Sequence, residues 1–301
     1  MLGDLGRIHG SVGVAIKKPR LVIEVSSNKR LEAIGPRATR IKEFAMMVLK
    51  HCKVEDGIKF VQLSDIPEHV GYGSGTQLAL AVGTLVSELF SLGLTVEELS
   101  RILGRAKISG IGTHIFRDGG FIVDGGRRVE KPETVPPLIF RSCVPRDWFF
   151  VVGMPEIKTR VSGEKEKKAF AEMKTPPETL VNYISRLVLL KMIPAIIEDD
   201  INSFGDAITQ LDFKFGEQWI DVQGGIFSNP EIEKGVNFLL DAGVYGAGQS
   251  SWGPVFYGLV RGERQAVEKS EQLYEFLSEN GINAKVSYTS ADNEGAQITQ
   301  L

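Results

Sequence analysis

The run "HVGYGSGTQLALAVGTLVSELFSLG", residues 69–93, places the strongest limit on how this chain can fold. Glycines at 71, 73 and 75 let the backbone approach another group without interference from a Cβ. The apolar positions that follow, Leu78, Ala81, Val82, Leu85 and Leu89, keep helical spacing. A glycine loop directly ahead of a helix turns unpaired backbone N–H groups and the positive end of the helix dipole toward whatever the loop holds, and that suits an anion. Ser74, Thr76 and Gln77 add side-chain donors, while the Gly-Lys-Ser/Thr ending of a Walker A loop is missing. Two more glycine- and serine-rich stretches lead into apolar segments, "ISGIGTHIFRDGGFIVDGG" (108–126) and "GVYGAGQSSWGPVFYGLV" (243–260). Three such loops meeting at one cleft would surround a polyanionic ligand with main-chain donors. The residues concerned are Gly71, Gly73, Ser74, Gly75, Thr76 and Gln77 in the first loop, Gly110 and Gly112 in the second, and Gly246, Gly248, Gln249, Ser250 and Ser251 in the third.

The rest of the chain mixes strands and helices without regular alternation, which predicts an α+β fold in two parts. Strands are expected at 11–16, 20–27, 58–64, 119–126, 147–155, 255–259 and 284–288. Helices are expected at 37–52, over the apolar stripe after residue 77, at 95–103, 163–173, 178–193, from Pro194 to near Leu211, at 228–243 and at 264–280. Thr95 with Glu98 reads as a capping box. Asn229, Pro230 and Gly243 punctuate both ends of their helix. The join between parts is expected in the turn-rich segment 125–147 or near residue 163.

A net charge of −3 on 301 residues gives no field that would draw in nucleic acid or an anionic membrane, so local groups must capture any anion. Two cysteines, Cys52 and Cys143, form neither a disulfide framework nor a metal-type pair. The start lacks a signal-peptide layout, and no apolar run approaches the ~20 residues of a membrane span. A cytoplasmic protein with neither nucleic-acid nor membrane partners is expected.

With "LGRIHGSVGVAI", "GYGSGTQLALAVG", "SGIGTHIFRDGGFIVDGG" and "GQSSWGPVFYGL", the chain resembles the GHMP kinase superfamily, and within it the β-ribofuranosylaminobenzene 5′-phosphate synthase branch. The resemblance covers most of the chain. It implies a ribosomal S5 domain 2-like part, 1–145, with the phosphate loop, and a ferredoxin-like part with helices, 146–301, with the last loop. It also implies a first strand bearing an Arg-x-His element ahead of the present start. The implied reaction joins 4-aminobenzoate or 4-hydroxybenzoate to phosphoribosyl pyrophosphate with loss of CO2 and pyrophosphate, in methanopterin biosynthesis. Mg2+ is implied with the pyrophosphate, and a homodimer is common in the superfamily. Ser109, Thr113 and His114 become the catalytic candidates, and Arg7 and His9 candidates for binding a carboxylate or phosphate.

The kinases of this superfamily that use a catalytic aspartate carry it after Ser-Gly-Ile, where it activates the attacking hydroxyl. This chain has Ser109-Gly110-Ile111-Gly112. An ATP-dependent small-molecule kinase of the type lacking that aspartate is one alternative, and a non-catalytic ligand-binding homologue another. Several residues keep two readings: His114 as a catalytic group or a histidine bonded to backbone, Trp252 as a pocket wall or core, and Glu198, Asp199 and Asp200 as magnesium ligands or the acidic face of a helix.

Overall fold

The computed structural model describes residues 5–131, 133–157, 176–218, 220 and 224–300. From the N-terminus run β1 (Arg7–Ile8), β2 (Ser11–Val14), β3 (Val22–Asn28), β4 (Glu32–Ile34), α1 (Ala38–Cys52), β5 (Gly57–Ser64), α2 (Ser74–Leu89), α3 (Val96–Ile102), α4 (Ile111–Asp118), β6 (Phe121–Asp124), β7 (Arg127–Arg128) and β8 (Leu138–Ser142). Then follow β9 (Trp148–Pro155), α5 (Glu178–Leu187), a π-helical turn (Val188–Met192), α6 (Ile193–Ile197), α7 (Ile201–Glu217), α8 (Pro230–Asp241), β10 (Gly246–Gln249), β11 (Phe256–Arg261), α9 (Glu263–Glu279) and β12 (Ala284–Ser290).

Two three-stranded sheets, β2-β6-β8 and β3-β5-β4, carry the N-terminal part, and the short pair β1-β7 stands beside them. Helix α1 buries Ile41, Phe44 and Val48 against Phe60 of β5 and Leu78, Val82 and Val86 of α2. The C-terminal part is an antiparallel sheet in the order β10-β11-β9-β12, the ferredoxin-like arrangement in which the first strand sits between the third and fourth. On one face, Val151, Phe256 and Val260 pack against α8 and α9 through Ile232, Val236 and Leu273. The opposite face shares its core with the N-terminal part. Phe204 of α7 lies 5.4 Å from the Phe121 ring of β6 and 5.2 Å from Trp148 of β9. The tail beyond β12 crosses back: Ile16 and Ala291 bridge, and Ala296 N–H donates to Phe116 O at 2.8 Å.

Local signals account for many element boundaries. Thr95 Oγ1 accepts from Glu98 N–H at 3.2 Å and Glu98 Oε2 accepts from Thr95 N–H at 2.9 Å, a complete capping box. Asn229 Oδ1 accepts from Glu231 N–H at 2.7 Å, with Pro230 in the first turn.

Other expectations fail for identifiable reasons. Pro194 does not open a helix. It lies within one continuous helical run, 178–197, where the π turn accommodates its missing N–H. The break comes at Asp199 (φ +55°), and Asp200 then caps α7 through Ser203 N–H at 3.1 Å. That run, Glu178–Ile197, is long and apolar enough to cross a membrane by length and composition, contrary to the expectation from sequence, yet Ile184, Val188 and Met192 lie in the protein core. Helix α4 occupies a stretch expected to be loop, and β10 likewise replaces an expected loop. The expected helix 163–173 lies outside the described residues.

Because Phe121, Trp148 and Phe204 form one cluster across both parts, Phe204→Ala is expected to cost about 3–5 kcal/mol and to lower one cooperative transition. Urea denaturation followed by tryptophan fluorescence and far-UV circular dichroism checks this. Two separate transitions in the wild-type protein would contradict it.

Candidate functional site

The first and third glycine loops meet through main chain. Val255 N–H donates to Val70 O at 3.1 Å, Ser250 N–H to Val255 O at 2.8 Å, and Ser250 Oγ donates to Gly71 O at 2.9 Å. Gly253 lies so close to this strand of loop that a Cβ there would sit 1.9 Å from Val70 C. Gly71 has φ +106°, and a Cβ on it would fall 2.3 Å from Ser250 O.

The second loop joins from the other side. Gln77 Nε2 donates to Gly112 O at 2.9 Å, and Thr76 packs against Gly112. Asp124 fixes this loop from below with four accepted bonds: Ser11 N–H at 3.1 Å and Gly126 N–H at 2.9 Å on Oδ1, and Gly110 N–H at 2.8 Å and Ser109 Oγ at 3.2 Å on Oδ2. Burial pushes its pKa up, opposed first by the Gly126 and Gly110 amides.

The three loops border one cleft of 2530 Å³. Helix α2 begins behind Gly73 (φ +65°) with no side-chain cap; Thr76 and Gln77 N–H bond Gly73 O at 3.0 and 3.2 Å, and among the described residues the Ser74 and Gly75 N–H groups have no such partner. The N-terminal wall is cationic. Arg40 and Arg105 hold their guanidinium groups 4.8 and 5.1 Å from the Phe44 ring centre, and Arg105 reaches toward Gly75. Lys17, Lys18 and Lys107 also line the cleft. Among the described residues no carboxylate pairs with Arg105; burial, then Arg40, lowers its pKa. By contrast Arg37, on the same wall, is bound to Asp65 and Glu68.

The C-terminal wall is aromatic, with Phe150, Phe204, Phe215, Trp252 and Tyr257. Within it stands Asp212 of α7, whose Oδ2 accepts from Tyr257 Oη at 2.8 Å. Burial raises the Asp212 carboxyl to about 7, against the opposing bonds from Tyr257 and the Gln249 N–H. Tyr72 is likewise pushed up to about 12 by burial.

The residues that bear on the site divide into three groups. Gly71, Gly73, Ser74, Gly75, Thr76, Gln77, Ser109, Gly112, Gln249, Ser250, Ser251 and His9 all line the cleft. Of these, Ser74, Thr76 and Ser251 have no partner for their hydroxyls among the described residues. Ser109, Gln77, Gln249 and Ser250 spend their side chains fixing the loops, Gln249 through Ser228 and Gly253 O. His9, in the left-handed region at φ +61°, has its pKa lowered by burial and then by Arg127.

The second group stands away from the cleft wall. Thr113 bonds Ser100 Oγ at 2.9 Å in the core, and His114 Nε2 donates to Pro136 O at 2.8 Å, so both serve to seat α4. Gly110 lies under the loop. Arg7 donates to Gly125 O and Gly126 O at 2.8 and 3.1 Å. Gly246 and Gly248 allow close packing of β10 on α7: a Cβ would lie 2.0 Å from Gly205 O and 1.6 Å from Asp212 Oδ2 respectively. Asp199 of the acidic run, by contrast, does line the cleft, but it accepts from Trp148 Nε1 at 3.0 Å and pairs with Arg261 at 2.7 Å, a structural task.

The third group, Arg40, Arg105, Asp212 and Tyr257, sequence reasoning missed. Asp212 carries a usable signal, being an acid flanked by Ile208, Leu211 and Phe215 on the apolar face of a helix. Among the described residues no three His, Cys, Asp or Glu side chains cluster as a metal cage.

Comparison with known proteins agrees with this architecture. The family model for the GHMP kinases N terminal domain matches residues 39–122, and that for GHMP kinases C terminal matches 192–279. The β-ribofuranosylphenol 5′-phosphate synthase of Methanothermobacter thermautotrophicus is 35% identical over 280 residues, 85% of this chain and 83% of that protein. The protein of the same name from Archaeoglobus fulgidus is 34% identical over 311 residues, covering 98% and 94%. Among solved structures, homoserine kinase from Cytophaga hutchinsonii has a TM-score of 0.68 at 14% identity, covering 96% of this chain and 91% of its own. L. major mevalonate kinase has 0.67 at 17%, again covering 96% and 91%. Identities this low carry the fold alone.

The raised Asp212 carboxyl has a consequence for stability. The folded chain holds that proton more tightly than the unfolded chain, so the contribution is complete below about pH 4, the ordinary aspartate range, and is lost as pH rises through about 7. Asp212→Asn, which removes the ionisation, is therefore expected to melt a few degrees above wild type at pH 8, the gap closing toward pH 4. Thermal melts across that range check it. A variant less stable at pH 8 than at pH 4, relative to wild type, would contradict the assignment.

Proposed function

The chain belongs to the β-ribofuranosylphenol 5′-phosphate synthase family of the GHMP kinase superfamily, and we propose that it joins an aromatic para-acid, 4-hydroxybenzoate or 4-aminobenzoate, to phosphoribosyl pyrophosphate. CO2 and pyrophosphate leave, and a C–C bond links ring to sugar in a precursor of methanopterin. The observation that carries this reading is the two-sided cleft: cationic side chains and uncapped main-chain donors on one wall, aromatic rings on the other. A doubly phosphorylated sugar matches the first wall and a benzoate ring the second.

In this reading the α2 N-terminus, Ser74, Thr76 and Arg105 hold the phosphates, and fixed donors stabilise the charge that builds on the departing pyrophosphate without reorganising. The aromatic wall holds the ring against the ribosyl carbon and excludes water. Magnesium would enter bound to the pyrophosphate oxygens, since the described residues offer no cage of their own. A kinase reading is disfavoured at position 112: a Cβ there would lie 2.9 Å from Thr76 Cγ2, leaving no room for a catalytic aspartate unless Thr76 moves.

Incubation with Mg2+, phosphoribosyl pyrophosphate and either acid is expected to release CO2 and pyrophosphate in equal amounts, with no ADP formed when ATP and a small alcohol are supplied instead. Silence with both acids from folded protein would remove the proposal. Arg105→Ala is expected to raise KM for phosphoribosyl pyrophosphate about tenfold, the value of one charge-assisted phosphate contact, ~1.4 kcal/mol, while KM for the acid changes little. Steady-state kinetics with each substrate varied in turn measures both.

A further inference from the structure

Asp212 differs from the other carboxylates on the cleft wall. Glu68 is paired with Arg37, Asp199 with Arg261, and Asp292 accepts from the Glu294 N–H on the C-terminal tail. Asp212 has no cation among the described residues; Lys214 on its own helix is bound to Glu217. Its Oδ2 is held by Tyr257 Oη, and Gly248 presses so close that the carboxyl group cannot swing that way. Tyr257 in turn packs against Phe150, ring centres 6.3 Å apart, and Phe215 and Trp252 line the same cleft. An acid oriented by a tyrosine and lining the cleft together with these rings belongs to the wall where the proposed function seats a benzoate ring.

We infer that Asp212 is the general base that takes the proton from the ring hydroxyl of a phenolic acid, with Tyr257 as its positioning residue. The inference rests on the proposed function. In the step, the phenol O–H bond breaks, its electron pair stays on oxygen, and the proton goes to the Asp212 carboxylate. The ring carbon para to that oxygen, which bears the substrate carboxylate, gains electron density and bonds to the ribosyl carbon as the C–O bond to pyrophosphate breaks with its pair. The C–C bond to the carboxylate then breaks, CO2 leaves, the pair returns to the ring, and Asp212 gives its proton back to the phenolate. No oxidant or reductant enters.

A phenol ordinarily keeps its proton to about pH 10, so near neutrality it needs a base, and a carboxyl raised to about 7 is well matched to that transfer. The groups facing Asp212 are Tyr257 from β11 and the Gln249 N–H from β10.

The test compares wild type, Asp212→Asn and Tyr257→Phe on 4-hydroxybenzoate and on 3,5-difluoro-4-hydroxybenzoate, whose hydroxyl ionises without help near neutral pH. Circular dichroism and melting curves verify folding. Asp212→Asn is expected to lose about 100-fold or more in kcat on 4-hydroxybenzoate, the usual worth of a general base, and less than about tenfold on the difluoro acid. Its rate on 4-hydroxybenzoate should climb with pH where the wild-type rate levels off. Tyr257→Phe should shift the pH profile of kcat with a smaller loss. Equal losses on the two acids would overturn the role of Asp212 and leave the proposed function standing. Absence of product from wild type with either acid would overturn both.

Discussion

The structure depends on one main-chain seam, where the loop after β5 and the loop after β10 touch. Val255 and Val70 are bonded backbone to backbone, Ser250 holds Gly71 O, and Gly253 has to be glycine for the two chains to lie this close. The first loop belongs to the N-terminal part and the other to the C-terminal sheet, so the seam joins the two parts at the edge of the cleft. Behind it the Phe121–Phe204–Trp148 cluster fills the shared core and keeps the seam from opening. The α2 N-terminus gains its role only because this contact holds the third loop opposite it.

With the loops fixed, the two walls take on different chemistry. Asp124 and His114 lie behind the second loop, where buried polar atoms bond the backbone and leave the wall to others. Cations line one side and aromatic rings the other, a division that the proposed joining of a sugar phosphate to a ring would use. Burial in this wall raises the Asp212 carboxyl, so that group owes its character to the fold around it.

Much of this was legible from sequence. The apolar stripe of α1, the capping box at Thr95 and the Asn229–Pro230 start of α8 are local signals, and local physics decides them. The first glycine loop declared its position ahead of a helix in the same way. Helix α4 was hidden because Gly110, Gly112, Gly119 and Gly120 punctuate so short a segment that its two turns read as loop. Among the candidate site residues, glycines were over-assigned to ligand binding. Gly246 and Gly248 serve helix-to-strand packing, and only the neighbouring helix, far away in sequence, reveals that. Histidine chemistry at His114 was equally undecidable until Pro136 appeared beside its ring. Arg105 and Tyr257 gave no local sign, because what distinguishes them is the Phe44 ring and the Asp212 carboxyl brought up by tertiary folding.

The central claim is that the cleft bordered by the three glycine loops holds one sugar phosphate, with backbone N–H groups at the start of α2 among its donors. Amide hydrogen exchange measured by mass spectrometry during titration with phosphoribosyl pyrophosphate and Mg2+ reads those groups directly. The account predicts slowed exchange in peptides covering 71–77, 109–112 and 249–253, all saturating with a single dissociation constant. Protection confined to one loop, or loops saturating at different concentrations, would contradict it.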